Sequence, residues 1–390
     1  MRLSIHMMVL NGASVVERAL RPFATIADEV VLVDTGSTDG TPEVVQHLCN
    51  SKFPEKFGEQ SKLRCYVAAL IKPESHSEMY FRDSPSSWAR ASTWDMEIPG
   101  PFTEKPVLAD WSRARNMGVC RCQGDYIIKL DADDEVLDPQ NILPALKFLD
   151  DHPSIDFLYC PYEICEIPGE GASPRPASPA LETISMYDRI WRNRSHIRYT
   201  QEIHEYLLGK EADPSGRPNW FAVAQGLRFR DWRDSPGTGV RIPHRNFKVF
   251  MREYERRVAA KMDLTPSFLL STIGEVTEAN PNFALSLLRM AEERDPKLHL
   301  DAGYLHSLGR TYAKNGLDQH ALGALKEATK LSPSSASILL DLGFQELRMG
   351  LPSWKGHLTG GIVKARIAGG FNVDHRELRK AAKLLDEPGI

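Results

Sequence analysis

Two aspartates separated by one residue, Asp131 and Asp133, are the clearest sign of chemistry in this sequence. They follow residues 125–130, a short run that reads as a buried strand. In parallel sheets a ligand lies beyond the carboxyl ends of the strands, where this pair would stand. Carboxylate oxygens suit a hard cation such as Mg²⁺ or Mn²⁺, which could bridge them to diphosphate oxygens. The pair therefore predicts a metal-assisted site for an anionic ligand, although an acidic surface loop would also carry such residues.

The elements that would position this pair alternate along the chain. Buried strands and helices are predicted in turn at residues 3–10, 14–24, 29–33 and 42–48. Asp34 ends the second strand and opens a glycine-rich turn, and a further helix starts near residue 110. Because alternation of this kind predicts a parallel sheet with crossover helices, Asp34 and Asp131 are expected at the same edge of the sheet.

Residues 66–109 interrupt this alternation. They are rich in Ser and Pro, include Trp88 and Trp94, and show little periodicity. A segment of this length inside a compact domain is usually functional or disordered. We expect an insertion that acts as a lid or contacts an acceptor. Residues 168–180, rich in Pro, Gly and Ser, are expected to form an exposed loop.

From residue 251 onward the pattern becomes helical and repetitive. Leu308-Gly309 recurs as Leu342-Gly343, 34 residues later. A second set of positions recurs at an offset of 37 residues, as Ala284, Leu288 and Ala291 and then Ala321, Leu325 and Ala328. The spacing predicts two to three stacked helix-turn-helix units whose small residues let paired helices pack closely. The chain then divides into an α/β domain at residues 1–250 and a helical-repeat domain at residues 251–390.

The net charge of −4 conceals a basic stretch at residues 189–261, which carries sixteen Lys and Arg against eight Asp and Glu. Such a stretch indicates either a local anionic ligand or a surface held by salt bridges. No apolar run approaches the roughly 20 residues that cross a bilayer. The six cysteines lack the spacing of a zinc site. We therefore expect a cytoplasmic protein with reduced thiols and no membrane span.

The segments around these residues resemble the family 2 glycosyltransferases of GT-A fold. The resemblance rests on four segments in the same order, which contain Asn11, Asp34 to Thr41, Asp110 to Asn116, and Lys129 to Glu135. With the helical tail, the chain looks most similar to the cytoplasmic branch that fuses the transferase to tetratricopeptide repeats. That branch includes peptide S-glycosyltransferases. The resemblance implies a Rossmann-like nucleotide-sugar-binding domain followed by an all-α repeat domain.

The resemblance also implies roles for individual residues. The nucleotide-sugar would be bound by Asn11, Asp34, Arg115, Asn116 and Asp131, and Mn²⁺ or Mg²⁺ by Asp133 with Asp131. Glu205 would act as the base that takes the acceptor proton, with His204 orienting it, binding the metal or sharing the role. Asp231 stands roughly where relatives carry a possible metal-binding histidine, and His244 is the fallback ligand.

The function implied is an inverting, metal-dependent hexosyl transfer from a nucleotide-sugar, with UDP as the common nucleotide. The acceptor would be a hydroxyl or thiol on a protein, a peptide or DNA. A phage-type enzyme acting on hydroxymethylated bases is one alternative, because the arginines of the basic stretch and the tryptophans could follow a polyanion. The others are a catalytically inactive binding protein and a nucleotidyltransferase. The repeats could hold the acceptor or form a homodimer.

Overall fold

The computed structural model describes residues 1–48, 64–69, 80–81, 111–166, 180–200, 206–208, 220–224, 226–232 and 242–386. The chain divides into two compact units. The first, the α/β unit, comprises Met1–Ala180 and Ser185–Gly239. The second, the helical unit, comprises Leu181–Ile184 and Val240–Ile390. The sequence placed the boundary eleven residues later, inside what the structure shows as one continuous helix, Ile242–Ala259.

The strands are β1 (Leu3–Val9), β2 (Glu29–Asp34), β3 (Arg64–Ala69), β4 (Tyr80–Phe81), β5 (Tyr126–Asp131), β6 (Asp134–Val136), β7 (Ile155–Glu166), β8 (Ala180–Arg192), β9 (Arg198–Thr200), β10 (Tyr206–Leu208), β11 (Trp220–Val223) and β12 (Phe229–Trp232). The main sheet has the order β4-β3-β2-β1-β5-β8-β7-β12-β6, and β11 joins it through β7. A separate antiparallel pair joins β9 and β10. Strand β1 pairs in parallel with both β2 and β5, whereas β8 runs antiparallel to β5. The mixed sheet with a parallel centre confirms the predicted α/β class.

The helices of the α/β unit are α1 (Val16–Leu20), α2 (Thr41–His47), α3 (Trp111–Val119) and α4 (Ile142–Asp151). All seven residues of β1 are buried because both faces of the sheet are covered. Leu3, Ile5 and Met7 enter one core with α1 and α4. On the other face, Ile127 and Trp191 enter a second core together with Val119 of α3. This double burial explains why the strands read as continuous apolar runs.

The helices of the helical unit are α5 (Ile242–Ala259), α6 (Pro266–Leu270), α7 (Ile273–Ala279), α8 (Pro281–Arg294), α9 (Ala302–Lys314), α10 (Asp318–Leu331), α11 (Ala336–Arg348), α12 (Trp354–Ile367) and α13 (His375–Leu384). A Cβ built on Gly309 would lie 2.7 Å from Leu325 Cγ, and one on Gly343 would lie 2.6 Å from Leu358 Cδ2. Glycine therefore permits close packing of α9 on α10 and of α11 on α12. The repeat prediction is confirmed, and Leu358, Ile362 and Ala365 extend it as the buried face of α12.

One expectation needs correction. Residues 66–69 were assigned to the insertion, yet they form most of β3, which pairs in parallel with β2. A short apolar run after a polar stretch lacks the alternation that would have revealed a strand. Apart from β3 and β4, residues 66–109 lie outside the described residues, as do residues 168–179 of the expected loop. None of the described helices is long and apolar enough to cross a membrane.

Candidate functional site

The carboxylate pair lies on a turn between two strands. Asp131 ends β5, and Asp134, the next residue after Asp133, begins β6. The Asp131 carboxylate accepts a hydrogen bond from Arg115 Nη2 at 3.0 Å, and its second oxygen lies 3.4 Å from Arg189 Nη1. Both arginine side chains are almost completely buried, at 4% and 2% exposure. The site therefore contains a carboxylate held between two buried guanidinium groups.

Asp134 closes the turn from the other side. One carboxylate oxygen accepts hydrogen bonds from the Asp131 backbone N–H at 2.7 Å and from Arg189 Nη1 at 2.9 Å. The other oxygen accepts a hydrogen bond from the Tyr162 hydroxyl at 2.7 Å. The carbonyl oxygen of Asp133 accepts a hydrogen bond from Arg18 Nη2 at 2.8 Å. The Asp134 side chain and the Asp133 backbone are thus each fixed by at least one hydrogen bond.

The charges around the turn shift several pKa values. Burial disfavours the ionised form of Asp131, but Arg115, Lys129 and Arg189 outweigh it and hold the pKa of this carboxyl well below its usual range. Burial raises the pKa of Asp134 to about 7, and Arg189 opposes the shift. Three cations thus surround the Asp131 carboxylate and keep it ionised.

His6 lies in β1 opposite Lys129 of β5, and its ring is completely buried. Neither ring nitrogen has a hydrogen-bond partner within the part of the chain that the structure describes. Burial, with the positive charges of Arg115 and Lys129, lowers the pKa of His6 to about 3. The imidazole is therefore neutral at physiological pH and leaves the positive charge of the site to Arg115, Lys129 and Arg189.

The predicted nucleotide residues Asn11 and Asp34 lie at the ends of β1 and β2. The register pairs Val9 with Asp34 and Met8 with Asp131, so β1 lies between the two aspartate-bearing strands. Asp34 is buried, and its carboxylate accepts a hydrogen bond from the Ser37 backbone N–H at 3.2 Å. Burial raises its pKa. Asp34 therefore caps the glycine-rich turn, and its contact with a nucleotide stays a prediction.

Asn11 shapes the same turn. Its backbone has φ of 54°, a left-handed conformation that asparagine tolerates better than most residues. Its side-chain oxygen accepts a hydrogen bond from the Thr38 backbone N–H at 2.8 Å, and its own N–H donates to Ser37 Oγ at 2.7 Å. Asn11 thus joins the β1 end to the β2–α2 turn.

Asn116 makes a two-point contact with the backbone of Tyr199. Its amide nitrogen donates to the Tyr199 carbonyl at 2.8 Å, and its oxygen accepts from the Tyr199 N–H at 2.7 Å. The Tyr199 ring lies against two cations, 5.7 Å from Arg115 and 6.0 Å from Lys129. Asn116 therefore ties β9 to α3 next to the arginine that binds Asp131. Its predicted contact with the nucleotide stays a prediction.

The remaining predicted residues divide into two groups. Asp231 lies in β12, directly opposite Asp134 of β6 in the antiparallel register, and so stands beside the turn. His204 and Glu205 fall between β9 and β10 in the sequence and lie outside the described residues. The backbone of His244 belongs to α5, but its side chain also lies outside them.

Comparison with protein families matches residues 106–207 to the model of Glycosyl transferase family 2. The matched segment includes Arg115, Asn116, the turn at residues 131–134 and Arg189. This segment is a family 2 glycosyltransferase domain. The chain thus contains a glycosyltransferase domain, as the sequence motifs predicted, and its helical unit follows that domain.

Solved structures resemble this glycosyltransferase only distantly. One is Staphylococcus aureus TarS 1–349 in complex with UDP-GlcNAc, at 14% identity over 90% of this chain and 93% of TarS, with a TM-score of 0.38. Another is the Sgt2 TPR domain from Aspergillus fumigatus, at 20% identity over 32% of this chain and 85% of that domain, with a TM-score of 0.27. A comparison with curated proteins finds no match.

The turn offers few side chains that could bind a metal. No group of three or more His, Cys, Asp and Glu side chains is placed to hold an ion among the described residues. Asp131 already binds two arginines, so a cation bound at this turn would have Asp133 as its main carboxylate ligand. Mg²⁺ commonly uses one or two carboxylates and completes its shell with substrate phosphates and water. One carboxylate next to a cationic diphosphate site fits that pattern.

Several arginines of the basic stretch that the structure describes pair with carboxylates of the protein itself. Arg194 pairs with Asp156 at 2.7 Å, Arg230 with Glu163 at 2.7 Å, and Arg228 with Asp138 at 2.8 Å. Trp191, offered by the sequence as a surface on which bases could stack, is fully buried. The polyanion hypothesis is wrong for Trp191, because a fully buried ring cannot stack on a base. Trp88, Trp94, Arg233 and Arg241 lie outside the described residues.

Sequence reasoning missed the residues that hold the turn from behind. Asp134 was visible next to the motif but had no assigned role, and Arg189 appeared only as one member of the basic stretch. Tyr162 carries no signal in the sequence, because its contact with Asp134 joins strands 28 residues apart. Only the pairing of β8 with β5 brings Arg189 to Asp131.

Proposed function

We propose that this glycosyltransferase moves a sugar from a nucleotide-sugar, with UDP as its nucleotide, to a hydroxyl or thiol of a macromolecular acceptor. The observation that carries the proposal is the turn at residues 131–134, which is held by buried arginines at the carboxyl end of β5. The turn belongs to the family 2 domain. UDP is chosen because it is the common nucleotide of the family that the motifs resemble.

The diphosphate of the donor would lie over the cationic side of the turn. Lys129 has a side chain with 13% exposure, whereas Arg115 and Arg189 are more deeply buried. Lys129 is therefore the cation best placed to touch the ligand directly, and Arg115 acts by fixing Asp131. Asp131, with its low pKa, stays ionised and could accept a hydrogen bond from the ribose.

Asp133 is the residue that would hold Mn²⁺ or Mg²⁺, with Asp231 as a second candidate beside the turn. When bound, such a cation supplies positive charge that stabilises the departing diphosphate. The protein's own part is to keep Asp133 in a fixed turn, so that little reorganisation is needed when the donor arrives.

The transfer itself follows from the resemblance to inverting enzymes. The acceptor oxygen or sulfur would attack the anomeric carbon while the bond from that carbon to the diphosphate oxygen breaks. Glu205 would take the acceptor proton, with His204 orienting it. Both residues come within a few positions of Tyr199 in the sequence, and Asn116 anchors the Tyr199 backbone.

The acceptor is proposed to be a protein or peptide. The helical unit contains a cavity of about 530 Å³ whose lining includes Arg310, Lys314, Phe344 and Arg348. Arg310 and Phe344, like Lys314 and Arg348, stand 34 residues apart, so equivalent repeat positions face the same space. Helical repeats of this kind bind partners more often than they catalyse. A DNA acceptor is disfavoured because the described arginines of the basic stretch are engaged internally.

The test is calorimetric titration of the full chain with UDP and then GDP, with and without Mn²⁺. We expect binding of UDP that depends on Mn²⁺ and is lost in Asp133→Ala. Asp151→Ala is the matched control, because Asp151 is an exposed carboxylate on α4 that pairs with Lys147. Folded wild-type protein that binds neither nucleotide would refute the transferase proposal and favour a binding protein built on the repeats.

A further inference from the structure

Arg189 is a charged residue that cannot reach a ligand. Its side chain is 2% exposed, yet its Nη1 lies within 3.4 Å of Asp131 and 2.9 Å of Asp134. Nη1 also lies 3.4 Å from the carbonyl oxygen of Lys129 in β5. A charge this deep in the protein requires partners to compensate its lost hydration. Here both partners belong to the turn that carries Asp133.

Aromatic rings prevent this guanidinium from moving elsewhere. Arg189 Cζ lies 4.1 Å from the centroid of the Tyr162 ring, and 5.7 Å and 5.8 Å from the rings of Phe229 and Tyr187. Tyr162 also donates its hydroxyl hydrogen to Asp134. The planar group is therefore held in one orientation between the rings and the carboxylates. A lysine would keep the charge but lose the planar group that lies against the Tyr162 ring.

The geometry of the turn depends on this bridge. Asp131 and Asp134 are carboxyl groups three residues apart, with side chains 25% and 0% exposed. Without a cation between them the two carboxylates would repel each other and favour contact with water. Asp133 stands between them on the chain, so any change in their separation moves the Asp133 backbone. Arg18 also donates a hydrogen bond to the Asp133 carbonyl, which adds a further point of attachment for that backbone.

We propose that Arg189 is a positioning residue of the donor site. By joining Asp131 to Asp134 it sets the place of Asp133, and so the affinity for the cation and its nucleotide, without touching either. The inference rests on the proposed function, since it requires a donor that binds through Asp133. Residues that orient metal ligands from behind commonly change metal affinity by about 10- to 100-fold.

A purely structural role would affect stability alone, so the test separates stability from affinity. Arg189→Met leaves Asp131 and Asp134 without their shared cation and is expected to lower both Tm and affinity. The double variant Arg189→Met/Asp134→Asn removes the uncompensated charge and is expected to recover most of the Tm. Its Mn²⁺-dependent UDP affinity is expected to stay about 10-fold or more below wild type, because the link to Asp131 is not restored.

Two further variants complete the set. Arg189→Lys keeps the positive charge but lacks the planar group that lies against the Tyr162 ring. If the double variant fails to fold, UDP affinity is measured in Arg189→Lys instead. Arg192→Met is the matched control. Arg192 lies on the same strand and donates to the Tyr126 hydroxyl and the Ile155 carbonyl, both at 2.9 Å, away from the turn. We expect it to lower Tm while UDP affinity stays at the wild-type value.

The outcomes separate this inference from the proposed function. Wild-type protein that binds UDP with Mn²⁺, together with folded Arg189 variants that bind it equally well, refutes the positioning role alone. Recovery of Tm and affinity together in the double variant would also refute it. Wild-type protein that binds no nucleotide removes both proposals. Weakened binding in Arg189→Lys or in the double variant, with Arg192→Met unaffected, supports the positioning role.

Discussion

Two ion pairs of similar length, one in each unit of this glycosyltransferase, differ in their exposure to solvent. In the α/β unit, Arg189 and Asp134 lie 2.9 Å apart with side chains 2% and 0% exposed. In the helical unit, Lys314 and Glu278 lie 2.7 Å apart with side chains 49% and 44% exposed. Distance alone therefore says little about what a pair contributes, because exposed pairs are weak and buried ones are costly to break.

The contrast matches what each unit must do. The α/β unit holds a small number of polar atoms in fixed places, and buried charges that lose their partners cannot find water instead. The helical unit is held by apolar and small residues between its helices, so its surface charges can change without loss of the fold. We therefore expect the first unit to tolerate few substitutions around the turn. The second unit is expected to keep its fold when residues that line its cavity are substituted, so that such substitutions can change which partner it binds.

The largest expected effect is a difference in stability between two variants, each of which removes one carboxylate from one unit. Asp131 and Asp341 have the same side-chain exposure, 25%, so burial of the carboxylate does not distinguish them. Their partners differ, since Asp131 lies 3.0 Å from the guanidinium of Arg115, which is 4% exposed. Asp341 lies 2.6 Å from His306, which is 16% exposed and charged only if protonated, and 3.7 Å from Arg310, which is 59% exposed. We expect Asp131→Ala to destabilise its unit by about 3–5 kcal/mol, and Asp341→Ala to cost about 1 kcal/mol or less.

Hydrogen exchange read by mass spectrometry measures this difference, because it reports the opening of each unit separately. Equal protection losses in the two variants would show that partner burial does not set the cost. The comparison between the units would then fail at its first step.

The pH dependence of stability tests how strongly burial acts on an ionisable group of the α/β unit, His6. Its pKa falls from 6.5 in the unfolded chain to about 3 in the folded state. The unfolded state therefore binds more protons between these values, so stability is lost as pH falls below 6.5. Wild type should lose about 2 kcal/mol more than His6→Met between pH 7.5 and pH 5.0. Urea unfolding at both values measures it, and parallel losses in the two proteins would contradict the prediction.

Most of the fold was predictable because local patterns determine it. The strands β1, β2 and β5 are short apolar runs, and burial on both faces makes such runs visible. Strands β2 and β5 end at Asp34 and Asp131. The repeats were predictable from the recurrence of glycine and alanine at helix contacts. Strand β3 escaped notice since its six residues show no alternation and stand beside a long polar segment.

The candidate site was predictable only where its residues lie next to one another in sequence. Asp131 and Asp133 stood out by their position after a strand. The partners that hold them come from elsewhere, and Arg189 lies 58 residues from Asp131. The side chains of Asp34 and Asn116 bind backbone groups of the protein itself, and their contact with a nucleotide stays a prediction. No pattern in the sequence distinguishes a polar residue that binds a ligand from one that binds the chain.

Asn116 sharpens the comparison within the α/β unit, since its two hydrogen bonds involve no charge. Asn116→Ala leaves the Tyr199 N–H and carbonyl without partners and should cost about 1–2 kcal/mol of stability. The UDP dissociation constant should change less than about threefold, or under about 0.7 kcal/mol. The matched control is Asn193→Ala, which removes two similar bonds, to the Cys122 and Gly124 carbonyls. A tenfold loss of UDP affinity in Asn116→Ala alone would instead place Asn116 in the nucleotide site.

The smallest effects are expected from glycines of the helical unit, and they differ in sign. A Cβ on Gly343 would lie 2.6 Å from Leu358 Cδ2 and 3.0 Å from the Leu358 backbone nitrogen, whereas one on Gly323 meets nothing within 4 Å. Gly343→Ala should therefore cost about 1 kcal/mol, because overpacking outweighs the gain in helix propensity. Gly323→Ala should add about 0.5–1 kcal/mol. If thermal unfolding shows both variants stabilised, then close helix packing is not what makes glycine necessary at position 343. The helical unit would then owe its stability to its apolar side chains alone.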